Sequence, residues 1–99
     1  MEKYNLTAVA HYIGNEKIGR TIIYRILREI KIVDESNRPM QKYIDRGDLS
    51  VGLPRYKYRG RQIYVTLADG LSGMIFINRV VEDYLKDHDI PRIKRKPKM

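Results

Sequence analysis

The stretch IGRTIIYRILREI, Ile18 to Ile30, decides how the rest of the chain is read. Ile22, Ile23, Ile26, Leu27 and Ile30 recur at helical spacing and form one apolar stripe. Arg20, Thr21, Tyr24, Arg25 and Arg28 fall on the other side, which carries three arginines, a tyrosine and no acid. A helix face made only for solubility mixes its charges, with acids four residues ahead of bases. An acid-free face suits a helix laid against phosphates and base edges. The competing reading is a core helix with a basic, solvated side.

Working outward toward the N-terminus, Thr7 offers a hydroxyl cap to a helix over Ala8 to Ile13. Val9, Tyr12 and Ile13 form its buried stripe and Gly14 stops it. Met1 to Leu6 reads as a brief strand that brings Tyr4 and Leu6 to the core. Two short helices joined by a tight turn at Gly14-Asn15, the second basic on its outer face, outline a helix-turn-helix.

Toward the C-terminus, Lys31 to Asp34 alternates and predicts a short strand. Ser36-Asn37-Arg38-Pro39 is turn chemistry, Met40 to Ile44 is ambiguous, and Arg46-Gly47-Asp48 is a second turn. Leu49, Val51 and Leu53 alternate as a half-buried strand, which Pro54 confines to an edge or a bend. Arg55 to Tyr58 then pairs with Gln62 to Thr66 around Arg59-Gly60, with Ile63 and Val65 facing inward. In this hairpin, RYKYRGRQIY, the bases Arg55, Lys57, Arg59 and Arg61 stand among three tyrosines with no acid. A basic hairpin after a helix-turn-helix is a wing, and wings meet the phosphate backbone or the minor groove. The competing reading is a polar hairpin whose tyrosines pack on the rim of the core.

Thr66-Leu67-Ala68-Asp69 reads as the start of a last helix, Leu67 to about Lys86, with Thr66 as cap and Asp69 at the third position. Leu67, Leu71, Met74, Val81 and Leu85 make the stripe that closes the core. A second apolar set, Gly73, Phe76, Ile77, Val80 and Tyr84, is more than one small core needs. It predicts a partner surface at Phe76, Ile77, Val80 and Tyr84, met by a second copy to give a homodimer, or by an attached domain. Alternatively the helix is central and the domain wraps it on both sides.

The 99 residues suffice for one domain with a modest core, and 42% apolar content is that of a folded chain. The domain is expected over residues 1–90, followed by a disordered basic tail over 91–99 that adds salt-sensitive, sequence-blind affinity for nucleic acid. There is no cysteine, which removes disulfides, thiol catalysis and cysteine-ligated zinc. No apolar run reaches membrane-spanning length and no signal peptide is legible, so a cytoplasmic protein is expected. The net charge of +8 and a pI near 9.8 point to a polyanion as partner, double-stranded DNA first. No enzyme site is legible. His11 and His88 are far apart with no ligand spacing, and Glu82, Asp83, Asp87 and Asp89 read as a solvated acidic end. No phosphate loop or nucleophile elbow occurs, so no catalytic residue, metal or cofactor is expected.

The segments LTAVAHYIG, GRTIIYRILREIKIV, RPMQKYIDRGDLSV and IYVTLADG together resemble the C-terminal domain of bacteriophage antirepressor proteins, the KilA-C type. The specific part is the Pro-x-Gln-x-Tyr-Ile-Asp-x-Gly-like signature, here Pro39, Gln41, Tyr43, Ile44, Asp45 and Gly47; the likeness covers about Leu6 to Leu85. The family's threonine-proline-lysine-glycine helix start is replaced by Thr66-Leu67-Ala68-Asp69-Gly70. The resemblance implies a phage or prophage regulator in a bacterial host cell that either binds DNA or binds a repressor and lifts it. Members usually carry another domain ahead of this one, often a DNA-binding or Bro-type module, so the chain reads as a fragment or a stand-alone version. Gln41, Tyr43 and Asp45 alternate, and on a strand they would share a face and tie that segment to the hairpin.

The fold class expected is α+β, a small winged helix-turn-helix domain with a β-hairpin wing and a long C-terminal helix. Two functions follow. In the first, Arg20, Thr21, Tyr24, Arg25 and Arg28 enter the major groove while Arg55, Lys57, Arg59 and Arg61 hold phosphates. In the second, the chain is a protein-binding antirepressor module that sequesters a phage repressor through its last helix. A continuous surface shared by the arginines of the two elements favours DNA; covering of the first helix face favours protein.

Overall fold

In a computed structural model the described residues are 2–54 and 56–91. The elements follow the order β1 (Lys3–Asn5), α1 (Leu6–Ile13), α2 (Arg20–Glu29), α3 (Gln41–Asp45), β2 (Leu49–Val51), β3 (Tyr56–Tyr58), β4 (Arg61–Ile63), β5 (Thr66–Asp69) and α4 (Gly70–Asp87). They make a small α+β domain with antiparallel sheets. Arg55 and the expected tail from Arg92 onward lie outside the described residues.

The N-terminal half follows the sequence reading closely. β1 delivers Leu6 to the interior, Gly14 caps α1 in the left-handed region at φ 74°, and the chain turns through Asn15 to bury Ile18. The cap of α1 is Asn5 rather than Thr7; its Oδ1 accepts from the Ala8 amide at 2.9 Å. Tyr12 is exposed, so the buried stripe of α1 is Leu6 and Val9. On α2, Ile22, Ile23, Ile26 and Leu27 are buried as the spacing predicts.

The strand expected at Lys31 to Asp34 does not form. α2 ends in a Schellman arrangement: Lys31 adopts φ 65°, its amide donates to Arg28 O, and the Ile32 amide donates to Leu27 O at 2.8 Å. Ile32 and Leu27 are both buried, so the apolar contact that accompanies this motif is present, while Ile30 is left at the exposed cap. Residues 33–39 instead make a tight clasp. Val33 bridges Pro39, and Asp34 Oδ1 accepts from the Ser36 and Arg38 amides while Asn37 turns the chain at φ 62°. The segment after it is helix α3, not a strand. Gln41 donates to Asp45 one turn on, and Tyr43 packs against Phe76 with ring centroids 5.5 Å apart.

The main correction concerns Thr66 to Asp69. This segment is not a helix start but β5, the central strand of a sheet ordered β1-β5-β2. It is paired on both sides, Tyr4↔Ala68↔Leu49, with Thr66 and Ala68 completely buried. A local start signal is worth about 1 kcal/mol, whereas β5 satisfies two ladders and buries one face, so the tertiary context wins. Gly70, at φ 66°, then turns the chain into α4.

Displacing that start rotates the reading of α4. Its buried stripe is Gly73, Ile77, Val81 and Tyr84, so three members of the supposed second set face the core. Leu71, placed in the core by the sequence, is 57% exposed, and Ile75 is the other exposed large apolar residue of α4. Gly73 is required by close packing: a Cβ there would lie 2.4 Å from the carbonyl oxygen of Asp48.

Candidate nucleic-acid interface

The hairpin is built as its sequence suggests. β3 and β4 pair Tyr56↔Ile63, Lys57↔Gln62 and Tyr58↔Arg61 around Arg59-Gly60, both at positive φ, the signature of a type I′ turn. Paired residues share a face, so Tyr56, Ile63, Tyr58 and Arg61 lie on one side and Lys57 and Gln62 on the other. The hairpin prolongs β2 and β5, since the Gly52 amide donates to Val65 O at 2.7 Å. Leu53, expected to extend the strand, lies beyond it and is 87% exposed.

Three anchors hold this hairpin beside α2. The Tyr64 amide donates to Ser36 O of the clasp at 2.8 Å, the Thr66 hydroxyl donates to Asn37 O at 2.7 Å, and the Thr66 amide donates to the Tyr24 hydroxyl at 2.9 Å. Between hairpin and helix lies a cleft of about 520 Å³. Arg20, Thr21, Tyr24 and Arg28 line one wall, Tyr56 and Tyr64 the other, and Asn37 stands at the clasp. Among the described residues no acid lines it, although the chain holds twelve.

The basic face of α2 is therefore divided. Arg20 and Thr21 are exposed at the mouth. Tyr24 and Arg28 are half-buried and serve the fold, the first as acceptor for β5, the second donating to Asn37 Oδ1 at 2.6 Å. Arg25 is exposed but does not line the cleft; its charge acts on Tyr84, beside Glu29. Tyr84 donates to Glu29 Oε2 at 2.8 Å, and this bond, with burial and the Glu29 charge behind it, holds the Tyr84 hydroxyl above its ordinary value near 10.

Among the hairpin bases, Lys57 and Arg59 are exposed, and Arg59 lies over the Tyr58 ring at 5.4 Å. Arg61 is paired with Glu35 of the clasp at 2.8 Å, and that hydrogen bond and charge hold the Glu35 carboxyl below the usual carboxylate range. Arg55 is outside the described residues. Five of the eight net positive charges reside in Arg92 to Lys98, so the cleft's character comes from segregation of acids rather than from a large charge on the domain.

Of the partner surface read onto the last helix, two residues are buried and two are half-buried. Ile77 and Tyr84 belong to the buried core, Val80 packs against it, and Phe76 is covered by Tyr43 with Arg46 over its ring. The sequence missed Tyr56, Tyr64 and Asn37 as cleft residues. The tyrosines were legible as an aromatic, acid-free run, but Asn37 carried only a turn signal.

No protein-family model, no curated protein and no solved structure matches this chain. Among the described residues no helix is long and apolar enough to cross a membrane.

Proposed function

We propose that this domain is the DNA-binding part of a phage or prophage transcriptional regulator of the antirepressor type, with α1 and α2 as a helix-turn-helix and β3-β4 as its wing. The observation that carries this reading is the acid-free cleft with α2 on one wall and the hairpin on the other. The cations of the cleft, Arg20 and Arg28, come from α2, while the hairpin contributes tyrosines to it and carries the exposed bases Lys57 and Arg59 outside it, a basic surround that suits a polyanion. The order helix, turn, helix, strand, hairpin, strand supports the winged reading, with α3 inserted after α2. Arg20 and Thr21 carry the contact from α2; Lys57 and Arg59 hold phosphates from the wing. Tyr24 and Arg28 position the two walls rather than read bases. The alternative, sequestration of a repressor through the last helix, has less support because its surface is largely buried.

The test is fluorescence anisotropy of a labelled duplex over a salt series with the full chain. Lys57→Gln plus Arg59→Gln lowers the slope of log affinity against log salt by about one per phosphate contact removed. Arg20→Gln does the same from the other wall. A variant with Arg92, Lys94, Arg95 and Lys96 replaced by Gln separates tail binding from domain binding. If that variant alone abolishes binding while the wall variants behave as wild type, the proposal fails.

A further inference from the structure

We infer that the cleft between α2 and the hairpin seats one unpaired nucleotide, so that the protein prefers DNA with an extrahelical base over an intact duplex. The inference rests on the nucleic-acid reading above and goes beyond it. An intact duplex keeps its base faces stacked and presents only edges and phosphates, for which tyrosine rings inside a cleft have no use. An unpaired nucleotide offers a π-face, a hydrogen-bonding edge and a phosphate together. The cleft supplies a counterpart for each. Tyr56, 55% exposed, and Tyr64 give aromatic surface on the hairpin wall. Thr21 and Asn37 give polar groups, and Arg20 gives an exposed cation at the mouth. The volume of about 520 Å³ is in the range of small-molecule sites and holds a single nucleotide.

The inner walls of the cleft are fixed by the fold, since Tyr24 is bonded to the Thr66 amide and Arg28 to Asn37, while Arg20 and Thr21 stay exposed at its mouth. An acidic peptide would engage the arginines but leave the tyrosines unused.

The experiment compares the full chain on three labelled probes of one sequence: an intact duplex, the same duplex with one central bulged nucleotide, and the single strand. Binding to the bulged duplex is expected to exceed binding to the intact duplex by roughly tenfold, the size of one aromatic stacking contact. Tyr56→Leu removes that preference, so that bulged and intact duplex then bind with equal affinity. Tyr56 is exposed on the hairpin, and a far-ultraviolet melting curve shows whether the variant is folded. Equal affinity for bulged and intact duplex overturns the inference while leaving the DNA-binding proposal in place. A bulge preference that survives Tyr56→Leu overturns it too. Millimolar thymidine or adenosine monophosphate that binds in a Tyr56-dependent way, without any bulge preference, overturns it in favour of a free nucleotide.

Discussion

Replacing Gly73 by Ala sets helix propensity against packing, and the structure decides the sign. At the fourth residue of α4, Ala gains at most about 0.8–1 kcal/mol over Gly, the value for a helix interior. The new Cβ, however, would lie 2.4 Å from Asp48 O, 3.0 Å from Ala68 C and 3.2 Å from Ala68 Cα, all backbone atoms. Asp48 O also accepts the Asp69 amide at 3.0 Å, just before the β2-β5 ladder. Moving it to make room weakens that bond, which is worth about 1 kcal/mol. Overpacking of this kind costs about 1–3 kcal/mol. The balance is a loss of about 2 kcal/mol, and so a fall in Tm of about 8–16 °C for a domain of this size. Ser72→Ala, one residue earlier on the exposed side, is the control and stays within about 0.5 kcal/mol. Thermal melting by circular dichroism reads both. A Gly73→Ala protein that melts at or above wild type would refute the reasoning, because it would mean that α4 does not press on the β2-β5 ladder.

Other substitutions test other parts of the fold. Tyr24→Phe strands the Thr66 amide, in a residue with no exposed surface, and costs about 1–3 kcal/mol; hydrogen exchange at Thr66 should accelerate, and unchanged protection would remove Tyr24 as the pin between helix and sheet. Lys31→Gly relieves a left-handed residue at an exposed helix terminus and stabilises by about 0.5–1 kcal/mol in urea titration, whereas a lower midpoint would contradict the Schellman ending of α2. Tyr84, whose folded hydroxyl titrates above the ordinary value near 10, contributes stability that is complete below that value and declines as pH rises through the folded one. The advantage of wild type over Tyr84→Phe should therefore shrink above about pH 10; an advantage that grows with alkalinity would reverse the assignment. Glu35 has the opposite sign: its folded carboxyl is lowered by Arg61, so its contribution is present at neutral pH and lost as pH falls through the folded value, and Glu35→Gln should flatten that acid limb of the melting profile.

The local readings that survive are those in which one residue's chemistry fixes one backbone state. Gly14 ends α1 and Arg59-Gly60 turns the hairpin because few residues accept positive φ without cost. The α2 stripe is legible because Ile22, Ile23, Ile26 and Leu27 recur at a period that only a helix places on one side. Residue types alone also show a basic helix and a hairpin whose bases stand among tyrosines without an acid.

What the tertiary structure decided is everything that depends on which segments meet. Thr66 to Asp69 has the chemistry of a helix start, yet β1, near the N-terminus, and β2, in mid-chain, pair with it and make it a strand. With β5 in place α4 begins three residues later than read, and the sheet it packs on takes Gly73, Ile77, Val81 and Tyr84 as its buried stripe and leaves Leu71 exposed. The cleft has the same origin. Arg20, Asn37 and Tyr56 belong to three segments that share no local signal, and they meet because the 33–39 clasp and the Tyr24 hydroxyl tie hairpin to helix. Residue types and short-range backbone preference alone place the charge and the aromatic rings along the chain. Their arrangement around one cavity was decided by long-range pairing, whose energy belongs to no single segment.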